Sequence, residues 1–327
     1  GVTVQSALPN WNSEYVAAEI IHIALEELGY EVQEVGDRSL DNPVIFTDMG
    51  QGNIDIMPNF WEPLHQAQVA NIPAGGEDLA LAGRWALGGA LEGFLIDKAT
   101  ADEFGITSLA DFEDPEIREQ FDRDGDGLAE IVGCPPGWGC HDHINFLWDQ
   151  YELHDYFNVL GIDTDIDYTP AMAETLALYE DGESIAFYTW TPNWTVYSLV
   201  PGEDVVWIEV PDPVEDSLTD GQVASGFSAD DVTIPAVTGC VSDPCAMGFV
   251  GNDLGILAHQ DFLDANPSAE ALFDAVDIPL DFVFEQNNRM FEDGEDSFED
   301  IRMHAEEWVE ANRGEFDSWL DAARSAS

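Results

Sequence analysis

Residues 2–35 decide the fold class, and they read VTVQSALPNWNSEYVAAEIIHIALEELGYEVQEV. The segment begins with a strand-like stretch. An amphipathic helix is then predicted over residues 14–28, with Asn12 or Ser13 as its cap and Gly29 at its end. A second strand-like stretch closes the segment. Strand, helix and strand in this order predict a βαβ unit, which is the building block of an α/β fold.

The alternation of strands and helices continues through the rest of the chain. Further short strands are predicted near residues 54–57, 94–97, 185–188, 205–210 and 255–258. Further helices are predicted near residues 42–51, 269–276, 280–291 and 297–324. Because single cores stop growing efficiently at about 250–300 residues, we expect this chain of 327 residues to form two α/β lobes. The last strand returns to the first region, so we expect a discontinuous lobe, residues 1–95 and 253–327, and a second lobe, residues 96–252.

The charge of the chain is strongly one-sided, with 67 acidic residues, nine basic residues and a formal net charge of −58. At about 1 M salt the Debye length falls to roughly 3 Å, so like charges on such a surface are screened. The acidic residues are spread along the whole chain, which favours adaptation to high salt, as in a halophile, over an acidic disordered tail. The same field excludes nucleic acid and anionic membrane surfaces as direct partners.

Hydropathy and the cysteines both bear on the compartment. No apolar run approaches the roughly 20 residues of a membrane span. The chain opens directly on a strand-like stretch, so we expect any export signal or lipid anchor to be absent from it. The cysteines form two close pairs, Cys134 with Cys140 and Cys240 with Cys245. Two local disulfides in an oxidising compartment are the simplest interpretation, and a zinc site that uses nearby histidines is the alternative.

Residues 133–140 read GCPPGWGC and place a tryptophan between two cysteines. If Cys134 and Cys140 are oxidised, Trp138 lies on a small rigid loop rather than in a core. The glycines beside it carry no Cβ, so a ligand could approach the backbone N–H groups of Gly139 and Cys140 closely. An indole face attracts a cation and amide donors attract an anion. The pattern therefore favours a small zwitterionic quaternary amine as the ligand.

Aromatic residues also follow two of the predicted strands. Trp61 and His65 come just beyond one strand, and Trp190 and Trp194 come just beyond another. Open α/β sheets bind their ligands at the carboxyl ends of strands, which makes these positions candidates for a site. We interpret Trp194 and Trp11 as packing residues, with contact between Trp11 and the ligand as the alternative.

Three blocks of sequence resemble the ProX-type glycine betaine/proline betaine-binding proteins of ABC importers. The blocks are residues 59–65, NFWEPLH, residues 133–140, GCPPGWGC, and residues 188–194, YTWTPNW. The resemblance runs from end to end of the chain. It implies a two-lobed periplasmic-binding-protein fold, a type II solute-binding protein with the ligand in a cleft between the lobes. It also implies that the protein captures a betaine and delivers it to an ABC importer for osmoprotection.

In that family three tryptophans form a box around the quaternary ammonium, while a histidine and two backbone amides hold the carboxylate. Carried over to this sequence, the box is Trp61, Trp138 and Trp190, and the carboxylate ligands are His65, Gly139 and Cys140. The second cysteine pair, Trp11 and Pro135 depart from the family pattern. None of these departures removes a binding residue.

The resemblance further implies partners and a location. The partners are the permease and ATPase subunits of an importer, and the protein is expected to be a monomer outside the cytoplasmic membrane, in a periplasm or lipid-anchored at the cell surface. A sensor or chemoreceptor-type protein for choline or carnitine is the alternative, because the same box would bind another quaternary amine.

Residues 122–127 resemble the start of a calcium loop. Asp122, Asp124 and Asp126 take the first, third and fifth positions, but the twelfth position is Gly133 rather than the bidentate Glu of an EF-hand. We keep calcium open beside a solvated turn and expect no other cofactor.

Catalysis is not expected. The sequence contains no serine elbow, phosphate loop or dinucleotide fingerprint. His141 lies next to Cys140 in sequence, which places its side chain badly for activating that sulfur.

Overall fold

The structure is a computed structural model that describes residues 1–160, 167–211 and 227–326. The chain divides into two compact units. Unit 1 consists of Gly1–Ala90 and Asn252–Ser327, and unit 2 consists of Leu91–Gly251. The edges of the units differ from those of the expected lobes, because the strand Glu92–Asp97 pairs with strands of unit 2.

The strands and helices are numbered in chain order. The first segment of unit 1 contains β1 (Thr3–Pro9), α1 (Tyr15–Glu27), β2 (Glu31–Leu40), α2 (Asn42–Gly50), β3 (Ile56–Glu62), α3 (Gln66–Ala70) and β4 (Leu79–Ala90). Unit 2 begins with β5 (Glu92–Asp97), α4 (Lys98–Phe104), α5 (Pro115–Phe121), β6 (Ala129–Val132), α6 (Gly139–Gln150) and β7 (Phe157–Leu160). It continues with α7 (Tyr168–Glu180), β8 (Ala186–Trp190), α8 (Thr195–Ser198), β9 (Val205–Ile208), β10 (Thr233–Ile234) and β11 (Cys245–Ala246). Unit 1 is completed by β12 (Asn252–His259), α9 (Gln260–Ala265), α10 (Pro267–Ala275), α11 (Leu280–Glu292), α12 (Phe298–Ala311) and α13 (Arg313–Ser325).

Unit 1 is built on a mixed five-stranded sheet in the order β2-β1-β3-β12-β4. β1 pairs in parallel with β2 and β3, which confirms the predicted βαβ unit. β12 runs antiparallel to both β3 and β4. Strand β12, which comes late in the chain, thus lies inside the sheet that the first residues of the chain begin.

Two expectations about α1 are wrong. The helix begins after Glu14, and no side chain caps it, because the Ser13 hydroxyl donates to the Glu14 carboxyl at 2.7 Å instead. The helix also lacks the solvent-exposed face of an amphipathic helix, since every residue from Tyr15 to Leu25 is buried. It contacts β2 and β3 as well as helices α11 and α12, so apolar side chains are covered on more than one face.

The predicted helix over residues 297–324 is two helices. α12 ends at Asn312, whose side-chain Nδ2 donates to the carbonyl oxygen of Trp308 at 2.9 Å and so completes the end of the helix. The indoles of Trp308 and Trp319 then stack with ring centroids 5.5 Å apart, so they pack the two helices together. Among the helices of the described residues, none combines the length and the apolar character needed to cross a bilayer.

Unit 2 is built on a second mixed sheet, in the order β7-β6-β8-β5-β9. β6 pairs in parallel with β7 and β8, while β5 runs antiparallel to β8 and β9. The two sheets therefore share one pattern. β1 and β6 take the second position in their sheets, and β3 and β8 take the third.

Candidate functional site

The first group of candidate residues lies at the carboxyl end of β3 in unit 1. Trp61 is the penultimate residue of the strand, not a residue beyond it, and pairs in register with Leu254 of β12. Its side chain is buried. His65 follows the strand, and its backbone N–H donates to the carbonyl of Trp61 at 2.9 Å. The Leu64 N–H donates to Oδ1 of Asn252 at 3.0 Å, which ties this turn to β12.

The protonation state of His65 follows from its surroundings. The backbone N–H of Trp61 donates to Nδ1 of His65 at 3.1 Å, so Nδ1 is an acceptor and carries no proton. Burial lowers the pKa of His65 to about 3, because the imidazolium is poorly solvated there. The ring is therefore neutral near pH 7 with its proton on Nε2. Of the two donor states that would serve a carboxylate, the structure favours the neutral one.

His65 lies among aromatic rings. Its ring centroid is 5.5 Å from that of Phe60, 5.8 Å from that of Phe46 and 5.7 Å from that of Trp11. Trp11 thus belongs to the candidate cluster of unit 1 rather than to a distant part of the core. Its Nε1 donates to the carboxyl of Glu14 at 2.9 Å. The sequence offered no sign that Glu14, which is fully buried, would join this cluster.

The second group lies in unit 2, at the carboxyl ends of β6 and β8. Trp190 is the last residue of β8, and Trp138 follows β6 at the start of α6. Their ring centroids are 5.5 Å apart in an edge-to-face arrangement. Trp138 is only 8% exposed, so the expectation that it lies outside a core is wrong. The indole is buried because other aromatic side chains pack around it.

Tyr168, the first residue of α7, is a member of this cluster that sequence reasoning missed. Its ring centroid lies 4.9 Å from that of Trp190 and 6.0 Å from that of Trp138. Its hydroxyl donates to the carbonyl oxygen of Tyr188 in β8 at 3.0 Å, which fixes the ring beside the two tryptophans. No motif surrounds Tyr168 in the sequence, so only the packing of α7 identifies it.

The backbone amides of Gly139 and Cys140 belong to the first turn of α6. Trp138 is the N-cap of this helix, and its side chain makes no capping hydrogen bond. The first N–H groups of a helix have no carbonyl partner within the helix, and the helix dipole adds positive potential there. Such an end is suited to a carboxylate. Unit 2 therefore brings a cation-attracting ring cluster and anion-attracting amides together at Trp138.

The four cysteines form two disulfides, Cys134 with Cys140 and Cys240 with Cys245, as predicted. Sulfurs bonded to one another are not thiolate ligands, so the zinc alternative does not fit this structure. The first disulfide joins the end of β6 to the first turn of α6, with Cα atoms 5.9 Å apart. It therefore closes the loop that carries Trp138.

The aspartates of the predicted calcium loop accept hydrogen bonds from the loop's own backbone. Asp122 accepts from the N–H groups of Gly125 and Gly127 at 2.7 and 2.9 Å, and Asp124 accepts from Asp126. The carboxyl oxygens close enough to share an ion are those of Asp122, Asp124 and Glu130 rather than of Asp126. The backbone hydrogen bonds account for the shape of this loop.

Comparisons with known proteins match the whole chain. The sequence profile of the OpuAC family, described as the substrate-binding domain of ABC-type glycine betaine transport systems, matches residues 2–311. The glycine betaine-binding periplasmic protein OusX of Dickeya dadantii is 35% identical over 330 residues, with 100% of this chain and 91% of the relative covered. The glycine betaine/proline betaine-binding periplasmic protein of Escherichia coli is 33% identical over 331 residues, with the same coverage.

Solved structures agree on the fold. The glycine betaine, L-proline-binding protein (ProX) of Borrelia burgdorferi superposes with a TM-score of 0.71 at 15% identity, covering 99% of this chain and 100% of that one. The α/β fold with two mixed sheets is therefore that of the periplasmic-binding proteins, as predicted. The family consists of substrate-binding proteins rather than enzymes, and such proteins generally need no cofactor. The chain belongs to the family of substrate-binding domains of ABC-type glycine betaine transport systems.

Proposed function

We propose that this protein binds glycine betaine and proline betaine outside the cytoplasmic membrane and delivers them to an ABC importer. The observation that carries the proposal is the arrangement around Trp138 in unit 2. The ring of Trp138 contacts the ring of Trp190, and the residues that follow Trp138 in the chain provide the first amides of α6. A betaine carries a quaternary ammonium and a carboxylate on one small molecule, and these two groups match the two features.

The quaternary ammonium is bound by the indoles of Trp61, Trp138 and Trp190. A trimethylammonium group has no N–H to donate, so hydrogen bonds cannot recognise it, whereas the π face of an indole attracts it through the ring quadrupole. Each such contact contributes about 0.5–2 kcal/mol, and more where water is excluded. All three indoles are buried, which favours the upper part of this range.

The carboxylate is bound by His65 and by the amides of Gly139 and Cys140. His65 offers the N–H of Nε2 as a donor, since Nδ1 is already an acceptor. A neutral imidazole donor suits this site because the protein does not have to bury a charged imidazolium there. The two amides add donors at the positive end of α6.

The partners and the location follow from the family. We propose that the protein is a monomer that docks on a permease, which is energised by an ATPase subunit, and that it works in a periplasm or lipid-anchored at the cell surface. The names of the relatives place them in the periplasm. The two disulfides support an oxidising compartment.

Isothermal titration calorimetry at about 2 M KCl tests the proposal with four ligands: glycine betaine, proline betaine, choline and proline. We expect the two betaines to bind in the micromolar range and choline to bind much more weakly, because it lacks the carboxylate. Equal affinity for choline and glycine betaine would contradict the carboxylate-binding half of the site and would favour a sensor for choline. The absence of betaine binding would contradict the proposed function as a whole.

A further inference from the structure

Glu14 carries a fully buried carboxyl in the segment that connects β1 to α1. Its Oε2 accepts from the indole Nε1 of Trp11 at 2.9 Å, and its Oε1 accepts from the Ser13 hydroxyl at 2.7 Å. A buried carboxylate is costly unless hydrogen bonds or an opposite charge compensate it. Here two neutral donors hold it directly against the N–H edge of an indole.

The ring that Glu14 holds is part of the unit 1 cluster. The centroid of Trp11 lies 5.7 Å from that of His65, and His65 in turn accepts a hydrogen bond from the backbone N–H of Trp61 at 3.1 Å. Glu14 thus contacts the cluster that contains both unit 1 residues of the proposed betaine site.

The carboxyl of Glu14 is stabilised by hydrogen bonds rather than by a cation. The hydrogen bonds from the Ser13 hydroxyl and the Trp11 indole lower its pKa, and neither donor carries a positive charge. Burial outweighs them and raises the pKa of Glu14 to about 7. The carboxylate therefore exists near neutral pH without a strong counter-charge, and a quaternary ammonium nearby would supply one.

The topology of the two sheets gives independent support for Trp11. In unit 2 the segment after the second-position strand β6 carries Trp138, and the third-position strand β8 ends at Trp190. In unit 1 the segment after the second-position strand β1 carries Trp11, and the third-position strand β3 contains Trp61 near its end. Trp11 therefore occupies the position in unit 1 that corresponds to Trp138 in unit 2.

We propose that Glu14 is a specificity and positioning residue for the quaternary ammonium: it holds the Trp11 indole as a further wall of the site beside Trp61 and provides buried negative charge that favours a cationic ligand. This inference rests on the proposed betaine-binding function. Hydrogen bonding of an indole N–H to a carboxylate increases the negative potential of the ring, and in a desolvated site a charge close by is weakly screened. Both effects strengthen attraction for a cation and oppose a neutral group of the same shape.

A pair of ligands with the same shape separates charge from packing. Glycine betaine and 3,3-dimethylbutanoate share their shape and carboxylate, but the second has carbon in place of the cationic nitrogen. We would measure both dissociation constants by calorimetry at pH 8.5 and 2 M KCl, for the wild type and for Glu14→Gln. The variant keeps the size of the side chain and an acceptor oxygen but removes the charge. We expect it to weaken betaine binding about tenfold and to leave binding of the neutral isostere unchanged or tighter.

Matched variants show whether the charge is responsible. The selectivity is the dissociation constant of 3,3-dimethylbutanoate divided by that of glycine betaine. Ser13→Ala removes a donor to Glu14 but leaves its charge, so we expect this selectivity to stay near the wild-type value. Trp11→Phe keeps a ring but loses the N–H, so we expect the selectivity for glycine betaine to fall less than it does in Glu14→Gln. An equal loss of affinity for both ligands in Glu14→Gln would reveal a purely structural role and overturn the inference. Unchanged betaine affinity in that variant would overturn it as well, while the proposed function would stand.

The pH dependence of betaine affinity in the wild type is a second test, and it does not require that any variant fold. Residues placed against the Glu14 segment include Trp11, the His65 ring beside Trp11, and Asn287 from α11, whose Nδ2 donates to the Ser13 carbonyl. Of these only His65 titrates, and it is neutral at any pH well above 3. We therefore expect betaine affinity to fall about tenfold between pH 8.5 and pH 5.5 as Glu14 gains a proton. A constant affinity over this range overturns the inference, and a wild type that binds no betaine overturns it together with the proposed function.

Discussion

Trp61 and His65 are joined by two hydrogen bonds. The backbone N–H of Trp61 donates to the side-chain Nδ1 of His65 at 3.1 Å, and the backbone N–H of His65 donates to the carbonyl of Trp61 at 2.9 Å. The first bond fixes the tautomer of the ring, and the second fixes the turn that carries it. The residue proposed for the ammonium thus determines the donor state of the residue proposed for the carboxylate. The link would allow two chemically different ligand contacts to come from one five-residue segment.

His65 is expected to stay neutral, with its proton on Nε2, from pH 5 to pH 8. Long-range ¹H–¹⁵N NMR of the imidazole, assigned with His65→Gln, should show the Nε2–H tautomer and no titration in this range, because burial lowers the pKa of His65 to about 3. A midpoint near the ordinary value of 6.5 would contradict this assignment.

The same shift has a consequence for stability. Between pH 6.5 and about 3 the unfolded chain binds a proton at His65 that the folded chain does not bind. The free energy of unfolding therefore decreases as the pH falls through this range. Denaturant titrations at pH 7 and pH 5 should show a smaller decrease for His65→Gln than for the wild type, and an equal decrease would argue against a depressed pKa.

Replacing Trp61, Trp138 or Trp190 with alanine is expected to weaken glycine betaine binding by about 1–3 kcal/mol each, because each change removes an aromatic wall of the proposed site. Phenylalanine at the same positions should restore part of the affinity. Trp319→Phe is a suitable control, since Trp319 packs against Trp308 in the C-terminal helices. It should lower the melting temperature without changing affinity. Normal calorimetric affinity in all three alanine variants would refute the aromatic box.

We expect the ring of Tyr168 to contribute more to the unit 2 cluster than the hydrogen bond of its hydroxyl does. Tyr168→Phe removes the hydrogen bond to the Tyr188 carbonyl, so we expect a loss of stability of about 1 kcal/mol and nearly unchanged affinity. Tyr168→Ala also removes the ring contacts with Trp138 and Trp190, so affinity should fall as well. The comparison requires calorimetry and thermal unfolding of both variants, and equal affinities would exclude a supporting role for the ring.

The two disulfides are expected to differ in function. Paired Cys134→Ser and Cys140→Ser changes open the loop before α6 and should weaken betaine binding as well as stability, because Trp138 and the first amides of α6 lose their constraint. Paired changes at Cys240 and Cys245 should lower stability alone, by about 2 kcal/mol in the loop-entropy model. Equal effects of the two double variants on affinity would show that the first disulfide has no special role in binding.

Salt is expected to stabilise this protein. A net charge of −58 produces strong self-repulsion, and screening should raise the melting temperature as KCl increases from about 0.1 to 2 M. Sucrose at matched osmolarity is the control, because it adds no ions. Betaine binding should persist at 2 M KCl, since contacts in a desolvated site are weakly screened. A melting temperature that is independent of KCl would show that the acidic surface is not a source of instability at low salt.

Sequence reasoning found the features that depend on neighbours along the chain. Cys134 and Cys140 are close in sequence, which made a local disulfide the simplest interpretation beside a zinc site, and the structure contains that disulfide. The βαβ start was also predictable, because the order of strand and helix is a local property of residues 2–35. Errors arose at helix ends, where side-chain hydrogen bonds between residues close in sequence differ from the expected ones. Ser13 does not cap α1 because its hydroxyl bonds to Glu14, and the last helix breaks at Asn312, whose side chain completes the end of α12.

The amino-acid sequence by itself determined the fold class and favoured two local disulfides, because hydrophobic periodicity and cysteine spacing are properties of the chain. The full set of candidate site residues came from the resemblance of three sequence blocks to a known family. Only the tertiary structure decided which side chains share an environment. It placed Tyr168 against Trp190, put the buried carboxyl of Glu14 on the indole of Trp11, and assigned the proton of His65 to Nε2. These properties depend on desolvation and on hydrogen bonds between residues brought together by folding, and such contacts leave no periodic pattern in a single sequence.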